Sequence, residues 1–104
     1  MEKMLDTKTQ IMTIMQEECA EVIQAISKIM RFGWDDYHPE TGISNRCSLE
    51  RELADLIVMI TLLKDTGELD LHAMERFKML KLEKLKLYST IFDESNNHDQ
   101  NLSA

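Results

Sequence analysis

Glycine and proline are scarce in this sequence, with three and one among 104 residues. A turn-rich β fold needs more of both at its bends, so helices are the expected framework. Cysteine is scarce as well. Cys19 and Cys47 form neither a CxxC pair nor a disulfide framework. Both read as free thiols of a reducing cytosol, Cys19 as a small buried one. Positive charge is short: 12 Lys and Arg stand against 19 Asp and Glu, a net charge of −7. That balance argues against wholesale electrostatic binding of nucleic acid. It leaves room for a phosphorylated small molecule, provided a metal ion supplies the positive charge. No apolar run approaches the roughly 18–20 residues of a membrane span. The N-terminal stretch MEKMLDTKTQ carries acids and reads as neither signal peptide nor anchor. These absences predict a soluble, cytoplasmic protein that does not engage a membrane.

What remains is helical pattern. A chain of 104 residues is expected to form one domain, here placed at 1–92. The first helix is predicted from about Met4 to Phe32 and ends at Gly33. The stretch GWDDYHPETGISNR then reads as a loop, long for a connector and therefore of functional interest. Ser48 is the expected N-cap of a second helix, with Glu50 in its first turn, running to Asp65. Asp70 caps a third over LHAMERFKMLKLEKLKLYSTIF. The polar tail, residues 93–104, is expected to be disordered. The fold class is all-α, an antiparallel bundle of three to four helices. Helix two, LADLIVMITLL, is apolar almost all round, more than a lone three-helix chain buries. A homo-oligomer is therefore expected, a tetramer in preference to a dimer.

Into this apolar pattern the sequence sets acids. At 100° per residue, Ile11, Ile14, Met15, Val22, Ala25 and Ile29 form one arc of the first helix. Glu18 falls in the middle of it, Glu21 at its edge and Glu17 a step further round. On the second helix, Glu52 and Asp55 fall among Leu49, Leu53, Leu56, Met59, Ile60 and Leu63. Two acid pairs at i, i+3 thus project from apolar faces. Antiparallel packing would bring the four carboxylates together in a partly dry site, where their repulsion demands cations. Hard divalent ions that prefer oxygen, Mg²⁺ first and Mn²⁺ second, suit such ligands. With three His and no paired Cys, zinc is poorly supported. Either pair alone is most often part of a solvated helix face, and only their combination suggests a metal site.

The pattern EExxE followed, one loop later, by ExxD resembles the all-α nucleoside triphosphate pyrophosphatase superfamily, the MazG-like enzymes. Here it reads Glu17-Glu18-Cys19-Ala20-Glu21 and then Glu52-Leu53-Ala54-Asp55. EECAEVIQAISK is similar to the family's first helix and ERELADLIVMITLL to its second. GELDLHAMERFKMLKLEKLKLYS is similar to the turn and Lys-rich helix that follow. The resemblance covers roughly residues 10 to 90 and is nearest to the small stand-alone members, including those of phages. It implies that Glu18, Glu21, Glu52 and Asp55 are Mg²⁺ ligands and that Lys81 and Lys84 face phosphate. It also implies hydrolysis of a nucleoside triphosphate to monophosphate and pyrophosphate, in a dimer or tetramer whose site draws on more than one chain. The loop between the acid pairs is longer than the common spacing. Leu85, Leu87 and Ser89 stand where the family often has Asn, Arg and Pro.

On this chemistry, Glu17 or the ligand Glu18 orients or deprotonates the attacking water. Ile11 and Ile14, on the acid-bearing arc, are candidate walls for the base, while Trp34 and Tyr37 are candidates for stacking on it. Trp34 after a helix-ending glycine is more commonly a hydrophobic plug. Asn45 is a candidate for base-edge hydrogen bonds, against ordinary turn chemistry, and Lys28 is a further candidate substrate contact. Arg31 and Arg46 flank the loop, where a surface role weighs at least as much as a phosphate one. His38, before Pro39, reads as conformational. Lys78, Lys81 and Lys84 form a basic stripe whose bland interpretation is a solvated face. A purine deoxynucleoside triphosphate is the favoured substrate, on the strength of the extended loop, and a pyrimidine one is the alternative. The competing class is a non-catalytic acidic helical interaction module built on the eight methionines.

Overall fold

The computed structural model describes residues 6–93, and all its regular elements are helices. The first, α1, spans Thr7–Phe32. Asp6 caps it, its carboxylate accepting the Thr9 N–H at 2.8 Å. This bond holds the Asp6 carboxyl below its ordinary pKa. Residues 1–5 lie outside the described part, as does the predicted tail from 94 onward. At the other end the Gly33 N–H closes on Ile29 O, and the φ of 96° at Gly33 is one that side-chain-bearing residues rarely adopt.

The second helix, α2, spans Asn45–Asp65 and starts one turn earlier than expected. Ser44, not Ser48, is its N-cap: the Ser44 hydroxyl accepts the Cys47 N–H at 3.1 Å. The connection is correspondingly shorter and is tied to itself. An isolated antiparallel bridge joins Tyr37 to Ser44. The Gly42 N–H meets His38 O at 2.8 Å, and Asn45 N–H meets Asp36 O at 2.8 Å. Those bonds leave Ser44 extended and facing the free N–H groups of the next turn, which is what a cap requires.

α1 and α2 pack against each other as an antiparallel hairpin. Lys8, in the first turn of α1, pairs with Glu68 just past the end of α2, while Gly33 and Asn45 meet at the closed end. The seam reads directly from the sequence spacing. Ile11, Ala25 and Ile29 are buried and Met15, Glu18 and Val22 half-buried, in alternating steps of four and three. Met59 is the buried residue of α2, among half-buried Glu52, Leu56, Ile60 and Leu63. The core is therefore small. Ile57 and Val58 stand 61% and 54% exposed, as do apolar residues of α1 such as Ile23 at 67%. The expected exposed apolar faces are present.

The chain divides by compactness into a unit ending at Glu68 and a second beginning at Leu69. The second unit holds α3, Leu71–Tyr88. Asp70 caps it as expected, accepting the Ala73 N–H at 3.0 Å. The helix stops four residues short of the predicted end. Ser89 turns extended, and both its backbone N–H, at 3.0 Å, and its hydroxyl, at 2.6 Å, donate to Leu85 O. Along α3, Glu75–Lys78 and Glu83–Lys86 pair at i, i+3. No fourth helix occurs among the described residues.

Candidate metal centre

Two of the seam positions carry acids where their neighbours are apolar. Glu18 on α1 and Glu52 on α2 are both half-buried, and they face each other across the hairpin. Asp55 lies one turn beyond Glu52 and is exposed. One carboxylate oxygen from each of Glu18, Glu52 and Asp55 lies within 4.8 Å of the other two. Glu21, the fourth expected ligand, is outside this trio and exposed, and Glu17 is exposed beside it.

The electrostatics match the geometry. Glu18 has its carboxyl pushed above the ordinary range by loss of solvent first. Repulsion from Asp55, Glu21, Glu52 and Glu17 follows, in that order. Its Oε1 is buried and has no hydrogen-bond partner. A buried carboxylate oxygen without a donor is costly, and here no neighbouring side chain supplies one. A hard divalent cation answers both deficits, because it accepts oxygen ligands and cancels the clustered charge. The residues present fit such an ion.

The remaining expected contacts separate into groups. Ile11 is 8% exposed and belongs to the hairpin core, whereas Ile14 is 42% exposed. Trp34 is not a plug. It is 48% exposed, with the Arg46 guanidinium over its ring at 5.0 Å. Arg46 also pairs with Asp35 at 3.2 Å, and Arg31 lies over Phe32 at 4.8 Å, so both arginines have local roles. Asn45 donates a side-chain N–H to Gly33 O at 3.0 Å, the turn chemistry foreseen for it, and also lines a cavity. Lys28 lines that same cavity. His38 is conformational, its Nδ1 accepting the Glu40 N–H at 3.2 Å. Cys19 is exposed rather than buried, because it points away from the seam that its neighbour Glu18 enters. Lys81 and Lys84 are exposed on α3.

A family model describing the MazG nucleotide pyrophosphohydrolase domain matches residues 6–85. The chain belongs to the MazG family. No curated protein and no solved structure gives a significant match. The matched MazG region takes in α1, the loop, α2 and most of α3, and with them both acid motifs and the two lysines. Membership carries nucleotide pyrophosphohydrolase activity as the general function, and MazG enzymes generally use divalent metals. Among the described residues no helix is long and apolar enough to cross a membrane.

Six further residues that line the loop-end cavity, Phe32, Asp36, Pro39, Thr41, Ile43 and Ser48, are not among the contacts expected from the sequence. For two of them a signal existed. Ser48 precedes Glu52 by one turn, and Phe32 follows Glu21 by eleven residues, so each shares a helix face with an acid.

Proposed function

We propose that the chain is a Mg²⁺-dependent nucleotide pyrophosphohydrolase, with Mn²⁺ as a substitute. It converts a deoxynucleoside triphosphate, of purine type in preference to pyrimidine, to the monophosphate and pyrophosphate. The observation that carries this reading is the trio Glu18, Glu52 and Asp55, with a buried, unpartnered oxygen on Glu18, inside a MazG domain. The purine preference rests on the length of the 33–44 loop.

In this reading Glu18, Glu52 and Asp55 hold the ion, and Glu21 joins them at the edge. When bound, the ion supplies positive charge to the polyphosphate and acidifies water. The half-buried position of Glu18 and Glu52 limits solvent around the reacting groups, which strengthens the attraction between site and substrate. Glu17, exposed and next in sequence to Glu18, orients the attacking water or takes its proton, with Glu18 as the other carboxylate suited to that role. The new bond joins the water oxygen to phosphorus, and the bridge between the α and β phosphates breaks. The proton then passes from the carboxylate to solvent. Lys81 and Lys84, at the positions that match the family's lysines, meet phosphate charge.

The chain works as a homo-oligomer, a tetramer in preference to a dimer. Among the described residues, four buried apolar side chains are a small core beside this many exposed large ones, Ile57 and Val58 on α2 among them. Pyrophosphate release from a panel of NTPs and dNTPs, with Mg²⁺ and with EDTA, tests the assignment. Metal-dependent release confined to one or two bases supports it and names the substrate. No release by the folded oligomer would move the assignment to a helical interaction module.

A further inference from the structure

The closed end of the hairpin holds a cavity of about 320 Å³. Its apolar and aromatic surfaces come from Phe32, Tyr37, Pro39 and Ile43. Polar groups from Lys28, Asp36, His38, Thr41, Asn45 and Ser48 complete it. Small-molecule pockets generally run from about 300 to 1,000 Å³ with mostly apolar walls and few polar groups. A volume at the low end suits a planar heterocycle with its sugar, and does not hold a triphosphate as well.

The polar groups have the mixed character that a base edge needs. His38 Nδ1 already accepts the Glu40 N–H, which places the proton of the neutral ring on Nε2 as a donor. Thr41 Oγ accepts the Ile43 N–H and keeps its own proton to donate. Asn45 spends one side-chain N–H on Gly33 O, leaving the other N–H as a donor and Oδ1 as an acceptor, and the Asp36 carboxylate is a second acceptor.

The cavity is also in line with the acids. On α2, Asn45, Ser48, Glu52 and Asp55 stand at i, i+3, i+7 and i+10, a single strip of the helix surface. On α1, Glu18, Lys28 and Phe32 stand at i, i+10 and i+14, again one strip. Both helices therefore carry one face continuously from the acid cluster into the cavity wall. Ser48 lies about 6 Å along the axis from Glu52, and Asn45 about 15 Å from Asp55. That is the interval a sugar and its first phosphates bridge.

We propose that this cavity receives the base and sugar of the nucleotide whose triphosphate lies at the acid cluster. The proposal rests on the pyrophosphohydrolase reading, and it puts the base at the loop end of the hairpin, against Tyr37 and Phe32. Ile11 and Ile14 lie at the opposite end, and Trp34 is engaged by Arg46.

Two variants test it without touching an acid. Tyr37→Ala removes one aromatic wall, and Thr41→Trp fills the cavity. Both positions are exposed, so neither change takes a side chain from the core. Three quantities are measured: KM and kcat for pyrophosphate release, equilibrium binding of the corresponding nucleoside monophosphate in EDTA, and the Mg²⁺-induced shift in Tm. Loss of a base–aromatic stack should raise KM about tenfold. Monophosphate binding should weaken by a similar factor, with kcat and the Mg²⁺ shift retained. Unchanged KM and unchanged binding in both variants would overturn the pocket and leave the hydrolase standing. Weakened binding with unchanged KM would assign the cavity to a separate nucleotide and break its link to the acids. If the wild type releases no pyrophosphate, monophosphate binding that both variants abolish would retain a nucleoside pocket while the hydrolase reading fails. No binding by the wild type in that case would overturn both.

Discussion

Glu18→Gln should stabilise the metal-free protein while removing most of what Mg²⁺ adds to it. The wild-type side chain brings a charge into a half-buried seam among four other carboxylates, with one oxygen lacking any donor. The amide keeps the shape, loses the charge and cannot serve as an equivalent ligand. An ion that binds only the folded state contributes about 2.7 kcal/mol at a hundredfold excess over its Kd. For a domain of this size that corresponds to a Tm rise of roughly 10–20 °C. Thermal unfolding in EDTA and in a Mg²⁺ titration reads both effects. The wild type should start lower and rise steeply, whereas Glu18→Gln should start at or above it and barely respond. Glu50→Gln, an exposed acid of α2 outside the trio, controls for diffuse attraction of Mg²⁺ to a chain of net charge −7 and should keep the full rise. The reasoning fails if Glu18→Gln and Glu50→Gln respond to Mg²⁺ alike, or if Glu18→Gln is the less stable protein in EDTA.

The same carboxyl predicts a pH dependence. Because the Glu18 pKa is raised by folding, the native metal-free state binds more protons than the unfolded one between the ordinary carboxylate value and the raised one. The contribution is fully present below the unfolded pKa and is lost as pH rises through the folded one. Urea midpoints across that window should show it, and Glu18→Gln should flatten it. Ser44→Ala should cost about 1 kcal/mol by loss of the α2 cap, and Ser48→Ala clearly less, in urea denaturation. Met59→Ala should cost about 2–3 kcal/mol, since it empties the buried α2 position of the seam. Charge placed on the exposed apolar face of α2, as in Ile57→Glu, should shift the sedimenting species toward the monomer, and an unchanged mass would place the interface elsewhere.

The caps show how local chemistry can be read and misread. Asp6, Gly33 and Asp70 mark helix ends because each supplies, within a few residues, what the terminal backbone lacks. Ser44 and Ser48 have equal intrinsic merit as caps. The choice between them falls to the Tyr37–Ser44 bridge and the bonds of the 36–45 segment, which a pattern of residues along the chain does not display. Ser89 likewise turns extended where α3 ends, its hydroxyl joining its own N–H on Leu85 O, a local bond that periodicity passes over.

By itself the sequence determined the helical class, the hairpin seam and the anomaly of Glu18 and Glu52 within it. Helical spacing is a local property, so an acid at a seam position is visible in one dimension. Only the tertiary structure decided that Glu18, Glu52 and Asp55 converge while Glu21 stands outside the trio, because that depends on the register of two helices 12 residues apart in the chain. It also decided that Trp34 lies under Arg46 while Tyr37 lines a cavity. That division follows from how the loop folds back on the two helix ends, and no single helix carries the information for it.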